Sequence, residues 1–260
     1  MESPQYTIYP SLRGKKILVT GGAEGIGASA VELFAQQGSK VALLDISESS
    51  AKTLIESIKE NSTQAAQPPW APAIQVPTFY QCDVTNLDQL KAQAKKIWTT
   101  LAARSTIPSV GVTPESWDFD VNVNLRHAFF LTQAVVPSMQ KQGRGSIINM
   151  GSITWRIPST DTPVYATCKA AILGMTRTHS KEFGEDGIRV NSIMPGSIAT
   201  ERQRKEVLTP EYEAKVLAAQ SLKRNLMPEE VGRVILFLAS DDSSAVTGSS
   251  YIVDGGFVGD

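Results

Sequence analysis

The sequence predicts an α/β protein built on a mainly parallel, doubly wound sheet with helices on both faces. Three observations carry that prediction. Short apolar runs alternate along the chain with segments whose apolar residues recur at helical spacing. The first apolar run passes straight into a glycine-rich turn. The second closes on an acid.

Taken in order, Lys16-Ile17-Leu18-Val19-Thr20 enters Gly21-Gly22-Ala23-Glu24-Gly25-Ile26-Gly27. Ile26, Ala30, Leu33 and Phe34 then form one stripe of an amphipathic helix that ends at Gln37-Gly38, where glycine suits a left-handed cap. Val41-Ala42-Leu43-Leu44 is a second buried strand, closing at Asp45. Strand, glycine turn, helix, strand and acid is the order of a Rossmann-type, dinucleotide-binding βαβ unit. Its glycines let backbone N–H groups approach a pyrophosphate at the helix N-terminus. A carboxylate at the position of Asp45 accepts ribose hydroxyls and repels a 2′-phosphate. Glu24 adds negative charge nearby, so the pair favours NAD over NADP.

A helix is expected over about Ala51 to Glu60, then a proline-rich connector, Gln67-Pro68-Pro69-Trp70-Ala71-Pro72, which excludes a helix interior. Phe79 to Val84 reads as a third strand and Asn86 to about Ile97 as a helix. The next segment, Trp98 to Gly111, breaks the pattern. A central parallel strand should be a near-continuous hydrophobic run, and none is present there. Patterning resumes at Pro114, with Val121, Leu125, Ala128, Phe129 and Thr132 on one helical face. Gly145 to Met150 and Ile188 to Ile193 are further strands, separated by a helix from Pro163 to Phe183. Residues 201–227 are polar, helical in propensity and placed to form a lid. Pro228 opens a last helix, and Tyr251-Ile252-Val253 a last strand. No internal repeat interrupts this order, so one domain over 1–260 is expected.

Within the Pro163 to Phe183 helix, Tyr165 and Lys169 are four residues apart, on one face. A phenol of pKa about 10 is a poor base at neutral pH, and a neighbouring cation favours its ionised form. Lowering that pKa by about three units takes about 4 kcal/mol of differential stabilisation.

Bulk properties narrow the classes. The chain has 260 residues, 42% hydrophobic and 20% charged, with a net charge of −1. Nothing in that balance suggests a nucleic-acid partner or an anionic membrane surface. Cys82 and Cys168 are isolated, without metal-ligand spacing. No apolar run approaches a membrane span, and MESPQYTIYP lacks a signal-peptide core, so a cytoplasmic protein is the expectation.

Taken together, Thr20-Gly21-x-x-x-Gly25-x-Gly27, Asp45, Cys82-Asp83-Val84, Tyr165-x-x-x-Lys169 and Pro195-Gly196 resemble the short-chain dehydrogenase/reductase family. The similarity runs from about Leu12 to Phe257. Tyr9 to Leu12, Asn124 to His127, Gly151 to Trp155, Glu201 to Gln203 and Leu238 to Asp242 are similar to NAD-dependent sugar 1-dehydrogenases of the D-xylose type. The resemblance implies a catalytic set of Asn124, Ser152, Tyr165 and Lys169. In it Tyr165 is the general base, Ser152 hydrogen-bonds the reacting oxygen, and Lys169 and a cationic nicotinamide ring lower the tyrosine pKa. Asn124 holds a relay water. It further implies cofactor contacts from Gly21, Glu24, Gly25, Ile26, Gly27, Asp45, Asp83, Val84, Ile198 and Thr200, and a homo-oligomer, dimer or tetramer. The family's fourth strand, ending in Asn-Asn-Ala-Gly, has no counterpart in Trp98 to Gly111, where Ala102-Ala103 alone resembles it.

The expected function is oxidation of an aldose to its lactone. The alternatives are a ketone or secondary-alcohol oxidoreductase acting on a small natural product, and an impaired member serving as a scaffold. No metal is expected. His127 is expected to be packed or to face substrate, His179 to lie on a solvated helix face, and Trp155, Arg126 and Arg202 to be either pocket-lining or structural.

Overall fold

The structure, a computed structural model, describes residues 7–64, 71–94 and 107–259. Its first half alternates β1 (Lys16–Thr20), α1 (Gly25–Gln36), β2 (Lys40–Asp45), α2 (Glu48–Gln64), β3 (Thr78–Gln81) and α3 (Leu87–Ala94). Its second half runs α4 (Pro114–Val121), α5 (His127–Gln142), β4 (Gly145–Met150), α6 (Pro163–Glu182) and β5 (Ile188–Pro195). The short helices α7 (Glu201–Glu206) and α8 (Pro210–Ala219) follow, then α9 (Pro228–Ala239) and β6 (Ser250–Val253). Every strand pairing among the described residues is parallel.

Strand alternation feeds two cores. In β1, Val19 faces one cluster and Leu18 the other; in β2, Leu43 and Leu44 divide in the same way. On one face α1 and α9 cover the sheet strands, and Gly232 of α9 allows close approach, since a Cβ there would lie 2.5 Å from Leu33 Cδ1. On the other face Leu90 of α3 and Leu131, Val135 and Val136 of α5 meet Ile147 and Val190. Both clusters draw residues from both halves. This is the doubly wound arrangement, with β1, β2, β4 and β5 contributing side chains to both clusters.

Among the described residues the strands form two three-stranded sheets, ordered β1-β2-β3 and β4-β5-β6, in keeping with the break in pattern over Trp98 to Gly111. Between the facing edges of β1 and β4 lies a cavity of about 740 Å³, lined by Ile17, Val19, Gly145, Ile148 and Met150 among others. Trp98 to Thr106 lie outside the described residues; Ile107 donates its N–H to Asp161 O at 2.7 Å, and Ser109–Gly111 is a 3-10 turn. Smaller differences are a longer α2, a β3 that stops at Gln81 and a β5 that continues to Pro195. Of the proline-rich connector, Gln67 to Trp70 also lie outside the described residues.

Candidate active site

The site gathers at the carboxyl ends of β1, β2, β4 and β5, where an open parallel sheet binds its ligands. After β1 the chain turns through Gly21 and Gly25, with φ of 58° and 56°, a region where side chains are strained. Gly27 opens the first turn of α1 against bare backbone: a Cβ there would sit 2.0 Å from Gly21 O. The loop is thus a cradle that only glycine leaves open, at the positive end of a helix. Asp45 braces it from β2. Its Oδ2 accepts the N–H of Ala23 at 3.0 Å and its Oδ1 that of Ser47 at 2.9 Å. Glu24, exposed, accepts from Ser50 Oγ at 2.6 Å. At the end of β3, Asp83 accepts from both the N–H and the hydroxyl of Thr85, at 2.9 and 2.7 Å. Its neighbour Val84 packs on the second core. Ile198 is buried beside Leu226 after β5, and Thr200 caps α7 by accepting from Gln203 N–H at 3.1 Å. The Thr200 methyl comes within 3.2 Å of a Cβ position on Gly25, so the segment after β5 closes against the glycine loop. The donors and bare backbone of this cradle fit a dinucleotide.

Lys169 is the largest fully buried side chain among the described residues, only 2% exposed. Its ammonium donates to Met150 O at 2.9 Å, at the end of β4, and lies 5.3 Å from the Tyr165 ring centroid. Burial pushes its pKa down to about 8. Thus one helix brings both residues against the strand that leads to Ser152. Ser152 is buried, with its hydroxyl 2.8 Å from Thr154 Oγ1 and accepting the Thr154 N–H at 3.2 Å.

Asn124 sits in a π-helical turn, Asn122–Arg126, wedged between α4 and α5 and packed against α6. Such single wide turns recur at functional sites. Asn124 Nδ2 donates to Asp120 O at 2.9 Å, while its Oδ1 is buried without a hydrogen-bond partner. His127 ends the turn, with Nδ1 3.2 Å from Asn122 O and Nε2 buried and unpartnered. Burial first, and then the charge of Lys169, push the His127 pKa down to about 3, so its ring is neutral.

The expectation for His179 is overturned. It is 5% exposed, with ring centroids of Phe129 and Phe183 at 5.5 and 5.3 Å, because α5 and the end of α6 close over it. Arg126 donates to Asn122 Oδ1 at 2.9 Å and Arg202 to Glu206 Oε2 at 2.7 Å, so both are held locally. Trp155 is 38% exposed beside Ser152. Sequence reasoning missed Thr154 and the carbonyl of Met150. A Ser-x-Thr pair just past a strand end was the available signal for the first, since such hydroxyls cap local N–H groups. The second is a contact between distant elements with no local signature. No helix of the described residues is long and apolar enough to cross a membrane, and no group of three or more metal-ligating side chains occurs among them.

Comparison with known proteins agrees with this geometry. A family model described as enoyl-(acyl carrier protein) reductase matches residues 21–258. The chain is 43% identical over 258 residues to the "Probable galactose dehydrogenase" of Rhizobium meliloti, covering 95% of this chain and 96% of that one. It is 42% identical over 256 residues to the D-xylose 1-dehydrogenase of Caulobacter vibrioides, covering 96% and 98%. A solved short chain dehydrogenase/reductase family protein superposes with a TM-score of 0.82 at 29% identity, over 95% of this chain and 99% of that one. The chain belongs to the short-chain dehydrogenase/reductase family and is an oxidoreductase acting on CH–OH groups with a nicotinamide dinucleotide.

Proposed function

We propose that the protein oxidises an aldose at its anomeric hydroxyl to the lactone, with NAD, in a single catalytic domain. The observation that carries this reading is buried Lys169, bonded to Met150 O at the end of β4 and 5.3 Å from the Tyr165 ring, with buried Ser152 two residues beyond that carbonyl. Two sugar-dehydrogenase relatives at 42% and 43% identity support the substrate class.

In this reading the backbone of Gly21, Glu24, Gly25, Ile26 and Gly27 receives the pyrophosphate, and Asp45 the adenosine ribose. Asp83 and Val84 border the adenine; Ile198 and Thr200 border the carboxamide. The bound nicotinamide supplies a hydride acceptor. The protein supplies the proton chemistry. Ser152 donates its hydrogen to the reacting oxygen and stabilises charge developing there. Tyr165, as phenolate, takes the hydroxyl proton. Lys169 favours that phenolate by its charge and reaches the nicotinamide ribose. The unpartnered Oδ1 of Asn124 supports a role in holding the water that carries the proton outward.

NAD rather than NADP follows from two carboxylates, Asp45 and Glu24, at the ribose end of the cradle. Residues 201–227, carrying α7 and α8, act as the lid; the residue just before them, Thr200, caps α7 and faces Gly25 of the glycine loop, which supports that placement. The long helices α5 and α6 pair in a homo-oligomer, an expectation consistent with the exposed Phe129.

The test is NAD reduction by the purified protein over a panel of aldoses, repeated with NADP and with secondary alcohols and ketones. Lactone formation from D-xylose or D-galactose with NAD is the expected result. Turnover of secondary alcohols with every aldose inert would overturn the sugar assignment and leave the cofactor assignment standing.

A further inference from the structure

The hydroxyl of Ser152 has a close neighbour that the proton chemistry above does not use. Thr154 is 8% exposed, like Ser152 itself, and both of its polar donors converge on the same oxygen. Its backbone N–H lies 3.2 Å from Ser152 Oγ, and its Oγ1 lies 2.8 Å away. A backbone N–H can only donate, so Ser152 Oγ is the acceptor in the first bond. The second bond has two orientations. In one, Ser152 donates its single hydrogen to Thr154. In the other, Thr154 donates, both lone pairs of Ser152 are engaged, and the Ser152 hydrogen is left to point away from Thr154.

These orientations are unequal once a substrate oxygen arrives. A hydrogen bond to an oxygen gathering negative charge is about twice as strong as one between neutral hydroxyls. The Thr154 hydroxyl makes no other hydrogen bond among the described residues, so its hydrogen is available to Ser152. Donation from Thr154 also polarises the Ser152 O–H and strengthens its donation onward, as in any chain of hydrogen bonds.

We propose that Thr154 is a positioning residue for Ser152: its hydroxyl and backbone N–H occupy the serine oxygen's lone pairs and direct the serine hydrogen to the reacting oxygen. The inference rests on the reading of Ser152 given above. It assigns Thr154 no contact with substrate or cofactor.

Thr154→Val tests it, because valine keeps the shape and the backbone N–H and removes only the hydroxyl. Thr154→Ser restores the donor. The readouts are kcat and KM for the aldose, the NAD dissociation constant and the melting temperature. We expect kcat to fall about tenfold in Thr154→Val, the value of one lost hydrogen bond in the transition state, with NAD binding unchanged. Thr154→Ser should recover kcat to within about twofold, an outcome a purely structural threonine would not give. In a Ser152→Ala background, Thr154→Val should change kcat by less than about twofold, since the oxygen it serves is gone. Wild-type kcat in Thr154→Val would overturn the proposal. So would an undiminished tenfold loss on top of Ser152→Ala, which would place the effect of Thr154 elsewhere. Wild-type kcat in Ser152→Ala alone would instead remove the reading on which the inference rests.

Discussion

Replacing Lys169 by methionine separates the two things its ammonium does. Methionine keeps a long unbranched side chain and removes the charge. The ammonium lies 5.3 Å from the centre of the Tyr165 ring. The phenolate oxygen lies about 3 Å from that centre, and a unit charge pair about 5–8 Å apart at an effective dielectric of about 20 is worth about 2–3 kcal/mol, or about two pKa units on the phenol. The acid limb of log kcat/KM against pH should therefore move up by about two units, and the rate at neutral pH should fall about a hundredfold. Stability moves the other way. Lys169 is 2% exposed, and burial lowers its pKa from 10.5 to about 8. For a lysine with a lowered folded pKa, the unfolded chain binds more protons between about pH 8 and 10.5, so wild-type stability rises with pH across that window. Below it the folded state carries a cost of about 3 kcal/mol, offset in part by the bond to Met150 O. Lys169→Met should lack that alkaline rise. Profiles of kcat/KM and urea midpoints from neutral to alkaline pH measure both effects. An unshifted acid limb would refute the electrostatic role of Lys169. An alkaline rise shared by wild type and variant would refute the account of its burial.

Three further outcomes follow from the same geometry. Gly27→Ala places a Cβ 2.0 Å from Gly21 O and 2.9 Å from Gly21 C, both backbone atoms, so the cradle must open. NAD binding should be lost and stability reduced by at least about 1–3 kcal/mol; calorimetry and a urea melt check this, and intact NAD affinity would contradict it. His127, held neutral with a pKa of about 3, binds no proton where the unfolded chain does, so stability should fall as pH drops below the ordinary 6.5. His127→Leu should abolish a loss of about 2 kcal/mol otherwise seen by about pH 5, and an equally acid-sensitive variant would contradict it. Tyr165→Phe should remove turnover while leaving NAD binding within a few-fold of wild type; retained turnover would displace Tyr165 as the base.

Much of this site was legible in the sequence because its determinants are local. The run Lys16 to Thr20 and the glycines after it state a strand and a tight turn within a dozen residues, and Asp45 marks a strand end. Tyr165 and Lys169 share a helix, so their spacing alone places them on one face. The parts that were not legible depend on distant elements. His179 reads as solvated along its own helix and is buried because Phe129 of α5 packs over it. Lys169 looks like any helical lysine until the carbonyl of Met150 and the closure of β4 against α6 remove its water. The extension of α2 beyond the expected Ala51 to Glu60 was not legible because its ends, Glu48 to Ser50 and Asn61 to Gln64, are polar and carry no apolar period. The division of the sheet was half legible. Trp98 to Gly111 lacks a strand pattern, but that β1 and β4 do not pair among the described residues depends on how distant strands pack.

Cofactor affinity is the sharpest test, because among the described residues the cradle after β1 and the reacting groups after β4 lie on separate sheets. Calorimetric titration of NAD, and then NADP, into the purified protein measures whether the two halves still form one site. The account predicts NAD binding in the micromolar range, about −8 kcal/mol, with NADP at least about tenfold weaker because Asp45 and Glu24 oppose its 2′-phosphate. Absence of heat from both dinucleotides would contradict it.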